Sequence, residues 1–179
     1  KVFDEEVLGG ALSRYDWLHL HHEDFTGQYG KFYGAYRYAD WYRQEKAESE
    51  ALAKRLGFDK VSEEKKAVAE KIKEYTLGGG FLFAMCSACD SFDIGLAARG
   101  IDIVPAEFDG DGMTPGYQEK LDYENCVAFT GFRLIPNPLV YEFSNLDTSD
   151  YVKARGPDVD YFGLFDFSAK YDPVPAMLT

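Results

Sequence analysis

The chain has few of the residues that fasten or target small proteins. Three of its 179 residues are cysteine: Cys86, Cys89 and Cys126. An odd number this small excludes a disulfide framework and leaves the redox compartment open. No apolar run approaches the roughly 18–20 residues that span a bilayer, which argues against direct membrane insertion. Basic residues are scarce too: 19 Lys and Arg face 31 Asp and Glu, a formal net charge of −12. Like charges repel, so the balance argues against nucleic-acid backbones and anionic membrane surfaces as partners. The sequence has neither an internal repeat nor a low-complexity segment. Histidine occurs three times, and His19, His21 and His22 all fall in one short segment.

What is present suits a packed core. Hydrophobic residues make up 46% and aromatic residues 16% of a chain of single-domain size. Lys1 leads directly into Val2–Leu8 with no charged-then-apolar targeting segment, and the chain stops at Met177-Leu178-Thr179 inside what reads as a structured stretch. Both ends read as cuts. The expectation is one domain, residues 1–179, belonging to a longer chain.

Tyr15–His22 alternates large apolar and polar residues and predicts a strand with a polar end. Glu23–Tyr38 is a loop rich in glycine and aromatics, a type that borders pockets or packs on the surface. Asp40 is a predicted N-cap for a helix to Leu56, with Trp41, Ala47, Ala51, Leu52 and Leu56 on one face and Gly57 as the stop. Ser62 is read as the cap of a second helix, with Val68, Ile72 and Tyr75 inward and Gly78-Gly79-Gly80 at its end. Phe81–Met85 is apolar throughout and predicts a strand covered on both faces. Ser87–Arg99 reads as a helix closed by Gly100, and Ile101–Val104 as a further β-type run. Asp109–Gly116 is an acidic, turn-rich loop without the ligand alternation of a calcium loop. Cys126–Thr130, Phe132–Ile135, Leu139–Phe143 and Tyr161–Phe167 are strand-like. This order predicts an α/β fold, a three-layer sandwich around a flavodoxin-like parallel sheet with extra C-terminal strands.

The strand-to-helix junction at Cys86 carries the most chemistry. A buried strand that turns sharply into a helix is a nucleophile elbow, and small residues are wanted two places before and after the turn, where Ala84 and Ala88 stand. A thiol at a helix N-terminus has its thiolate favoured by the dipole. The Ser87 N–H would face an oxyanion formed by attack on a carbonyl. The plain alternative is a buried cysteine that ends a strand. Cys86-Ser87-Ala88-Cys89 is also a CxxC, so a redox pair is a further reading; a zinc site would need a second such pair, which the sequence lacks.

The histidine segment offers a second chemistry. On a strand His19, His21 and Glu23 share a face, and an H-x-H pair plus a carboxylate can hold zinc. The plain alternative is a packed, a hydrogen-bonded and an exposed histidine.

The stretch Gly78–Asp93, GGGFLFAMCSACDSFD, resembles the class I glutamine amidotransferase-like superfamily, including its ThuA-like branch. It is also similar, with YDWLHLHHEDFTGQYGKFYGAYR and DFSAKYDPVPAML, to a group of bacterial proteins labelled asparagine synthetase B. The resemblance implies a cysteine-dependent amidase or glutamine amidotransferase acting on a small amide, with no cofactor. Cys86 would be the nucleophile and the Ser87 N–H part of the oxyanion hole. His21, His22 and Glu23 would converge on Cys86 at the carboxyl edge of the sheet, with His21 or His22 as polariser or base. It also implies an extracytoplasmic, envelope setting. Members of the superfamily take their base from a histidine well after the elbow, and no histidine follows Cys86 here. Three readings stay open: the base lies beyond Thr179, His21 or His22 serves from an unusual place, or the domain is a non-catalytic or metal-binding module of a larger assembly with protein partners.

Overall fold

The structure, a computed structural model, describes residues 1–146. Helix α1 (Asp4–Leu8) and a 3₁₀ turn at Ala11–Arg14 lead into strand β1 (Trp17–His21). A loop carrying a turn at Tyr29–Lys31 and the short helix α2 (Tyr33–Tyr36) follows, then helices α3 (Asp40–Arg55) and α4 (Val61–Leu77). Strand β2 (Phe81–Met85), helix α5 (Ala88–Ala97) and the single turn α6 (Ala106–Asp109) come next. From Asp111 to Leu146 the chain is irregular, with 3₁₀ turns at Gln118–Lys120 and Tyr123–Asn125.

β1 and β2 pair in parallel, Trp17 opposite Phe81 through His21 opposite Met85. Parallel partners need a long crossover, and α2, α3 and α4 supply it. The fold is thus mixed α/β, a two-stranded parallel sheet packed on helices. Side chains alternate along a strand. Leu18, Leu20, Leu82 and Ala84 face a core built with Val7 and Leu12, Val68 and Ile72 of α4, and Phe92 and Leu96 of α5. A second cluster joins Ile94, Ala97 and Ala98 to Ile103, Leu121, Phe132 and Phe143.

Several expectations are corrected. The opposite face of the sheet is open among the described residues: Trp17, His19, His21, Phe81, Phe83 and Met85 are all exposed. Among the described residues, then, the apolar run of β2 is covered on one side. No strand forms at Ile101–Val104, Cys126–Thr130, Phe132–Ile135 or Leu139–Phe143; one antiparallel bridge, Leu134 with Ser144, stands in their place. The reason lies in the backbone donors. The N–H groups of Val127, Ala128 and Phe129 are taken by the Asp93 carboxylate at 2.6–2.9 Å, and Pro136 and Pro138 remove donors further on. The run Tyr161–Phe167 lies outside the described residues.

Helix α3 also sits rotated from its predicted face. Tyr42 and Ala53 are the buried residues, while Ala47 and Ala51 are exposed. Trp41 leaves the core side for a surface aromatic group, 6.0 Å from Phe32 and 5.1 Å from Tyr36 between ring centroids. Asp40 is the first helical residue rather than the cap, and its carboxylate takes Arg43 at 2.7 Å. Ser62 likewise lies inside α4, whose N-cap is Lys60. Gly27 explains its burial: a Cβ there would stand 2.7 Å from the Ser62 N and Cα, and its φ of +82° suits glycine.

Candidate functional site

Cys86 occupies the turn between β2 and α5 with φ of +57°, a left-handed conformation that a cysteine seldom adopts. The surrounding structure holds it there. Ser87 is already helical, the Cys89 N–H donates to the Cys86 carbonyl at 2.9 Å, and Ala88 is fully buried beneath the turn. The side chain of Cys86 is exposed, and Ser87 is nearly buried. The first N–H groups of a helix have no carbonyl to serve within it, so the start of α5 offers donors beside the thiol.

β1 ends level with β2, because His21 is the partner of Met85. The next residue, His22, has φ of +65° and turns the chain as Cys86 does. The rings of His21 and His22 lie 3.9 Å apart between centroids. Both histidines and Glu23 are exposed at the carboxyl edge, where ligands of open parallel sheets bind. They line a cavity of about 440 Å³ shared with Asp24, Tyr29 and Lys65; Cys86 is not among its lining residues.

His19 lies one position back on the same strand face, its ring stacked 6.0 Å from that of His21 between centroids. Its Nε2 lies 3.2 Å from the Met85 Sδ, and its ring packs 5.2 Å from that of Phe83. The ligand atoms of His19, His21 and Glu23 do not all lie within 4.8 Å of one another in the described residues. Among the described residues, the set of three ligand atoms that lies within 4.8 Å is Asp102, Asp109 and Asp111. That acidic group already holds the Lys60 ammonium, 2.5 Å from Asp102, 3.2 Å from Asp109 and 2.5 Å from Asp111.

The supports of the site were not evident in the sequence. Ser91, fully buried on α5, donates to the Glu23 carbonyl at 2.8 Å and accepts from the Phe25 N–H at 3.5 Å. It ties the segment after β1 to the helix that follows the elbow. Asp24 closes the same loop on itself, accepting from the Thr26 N–H at 2.7 Å, the Thr26 hydroxyl at 2.6 Å and the Gly30 N–H at 2.9 Å. Lys31, buried and with φ of +59°, donates to the carbonyls of Ile135 at 2.6 Å and Asn137 at 3.1 Å. Burial lowers its pKa to about 8. One signal was available: Asp90, Ser91 and Asp93 interrupt an otherwise apolar helix with poor helix formers, which marks a tertiary role.

No family model, no curated protein and no solved structure matches this chain.

Proposed function

We propose that the chain is a cysteine-dependent amidase or glutamine amidotransferase-like domain acting on a small amide. The observation that carries the reading is Cys86: an exposed thiol in a left-handed turn between a parallel strand and a helix N-terminus. In this reading the Cys86 sulfur attacks the amide carbonyl. The N–H of Ser87 stabilises the oxyanion, ammonia leaves, and water releases the acyl group. His21 or His22 supplies the proton transfers. Support for that role comes from the strand register, which ends both strands together at the carboxyl edge. The same reading takes β1, β2 and their helices as part of a three-layer, flavodoxin-like sandwich, and the exposed apolar face of the sheet supports a further covering layer.

Ammonia release from glutamine, asparagine and simple primary amides tests the reaction. Turnover by the wild-type chain that disappears in Cys86→Ala is the expected result; equal turnover in the variant overturns it.

The second reading, a recognition module for a protein partner, rests on a different observation. Trp17, Phe81, Phe83 and Met85 form a contiguous exposed row on one sheet face. It expects no amide turnover and an inert Cys86.

A further inference from the structure

The elbow holds two thiols, and the amide reading uses one. Cys86 is exposed, while Cys89, three residues on in the first turn of α5, is half-buried. The Cys89 N–H donates to the Cys86 carbonyl at 2.9 Å, which closes a reverse turn through Ser87 and Ala88. Such a turn brings its end Cα atoms within roughly 7 Å. A disulfide joins Cα atoms roughly 4.4–6.8 Å apart, so the backbone is already folded to the span a bridge needs. The Cys89 Sγ lies 3.5 Å from the Ala84 carbonyl, on the strand that enters the elbow, rather than along the outer face of α5. An accessible thiol followed by a sheltered one is the arrangement of an attacking and a resolving cysteine.

The third thiol behaves differently. Cys126 is half-buried with its Sγ 3.5 Å from the Asp93 carbonyl. Burial, and then the Asp93 carboxylate, push its pKa up to about 12. Its thiolate is therefore disfavoured, and Cys126 serves as the internal reference.

We propose that Cys86 and Cys89 form a reversible intramolecular disulfide, making the elbow a site of thiol–disulfide exchange with small disulfides such as glutathione disulfide. The Cys86 thiolate attacks one sulfur of the small disulfide, forming a mixed disulfide and releasing one glutathione thiolate. The Cys89 thiolate then attacks the Cys86 sulfur and releases the second. Two protein thiols become one disulfide, one glutathione disulfide becomes two glutathione thiols, and the two protons pass to the departing thiolates. The inference goes beyond the amide reading and does not require it: thiol content is measured without any substrate turnover. If both hold, oxidation also removes the nucleophile.

The experiment exposes the whole 179-residue chain to glutathione disulfide, quenches it in acid, alkylates the remaining thiols and maps the peptides by mass spectrometry. The expected result is loss of Cys86 and Cys89 alkylation with a Cys86–Cys89 linkage in one peptide, Cys126 still alkylated, and full recovery with dithiothreitol. In Cys89→Ser the reaction should halt at glutathione bound to Cys86. A stable glutathione adduct on Cys86 in the wild-type chain, with Cys89 still alkylated, overturns the proposal. So does a chain in which neither thiol reacts, or one in which Cys126 reacts first. The wild-type map decides the matter by itself if the variant fails to fold.

Discussion

His21 and Met85 are the last partners in the parallel register, so His22 and Cys86 leave the two strands from neighbouring positions, and both turn left-handed. Two non-glycine residues in that conformation at one sheet edge are held there by the packing around them rather than by their own preferences. Backbone strain of this kind has a measurable consequence.

Cys86→Gly relieves the left-handed turn, whereas Cys86→Ala keeps it. The glycine variant is expected to match or exceed the alanine variant in stability by about 1 kcal/mol, and under the proposed amide reading neither variant turns over substrate. Denaturant midpoints of the two variants check the first part, and ammonia release the second.

Glu64 gives the fold a pH dependence. The side chain is buried on α4, and burial pushes its carboxyl from 4.5 up to about 7, with Lys65 opposing and Asp4 adding to the shift. Between these values the folded chain holds a proton that the unfolded chain has released. This contribution to stability is therefore lost as pH rises from 4.5 to 7. Glu64→Gln should leave stability little changed below that window and raise it above pH 7 by on the order of 1–3 kcal/mol. Urea unfolding at the two ends of the range measures the difference.

Gly95 lies in the last turn of α5, where alanine would ordinarily favour the helix by up to about 1 kcal/mol. Here a Cβ would stand 2.8 Å from the Phe25 carbonyl oxygen, in the segment that Ser91 ties down. Gly95→Ala is expected to destabilise by roughly 1–3 kcal/mol instead. Thermal unfolding decides the sign.

Asp93 collects three backbone donors with one carboxylate. Asp93→Ala leaves the N–H groups of Val127, Ala128 and Phe129 without that acceptor. The expected loss is roughly 2–4 kcal/mol, with faster amide exchange at those three positions and faster alkylation of Cys126. Asp93→Asn, which keeps two lone pairs on one oxygen, should lose less.

The long elements could be read locally because their determinants are local. β1, α3, α4, β2 and α5 follow from alternation, helical periodicity and glycine stops, and the elbow from a strand, two alanines and a helix start. What surrounds them could not be read that way. Phe81, Phe83 and Met85 have the composition of a doubly covered strand, yet nothing in five residues specifies what lies on the far face. Cys126–Thr130 has the composition of a strand, but a carboxylate more than thirty positions earlier claims its donors. At the site, the pairing of His21 with Met85 is a tertiary fact that neither strand specifies alone. Ser91, Asp24 and Lys31 act across the fold too, and of these only Ser91 left a faint sign in helix propensity.

Helix α5 belongs to both hydrophobic clusters, Phe92 and Leu96 on one side, Ile94, Ala97 and Ala98 on the other. A wall common to two rooms cannot be removed from one alone. Unwinding α5 removes one side of both clusters and the anchors of the loops held by Ser91 and Asp93. The sheet edge and the irregular segment beyond α6 are therefore bound into one cooperative unit, and the elbow stands at the helix on which that cooperativity depends.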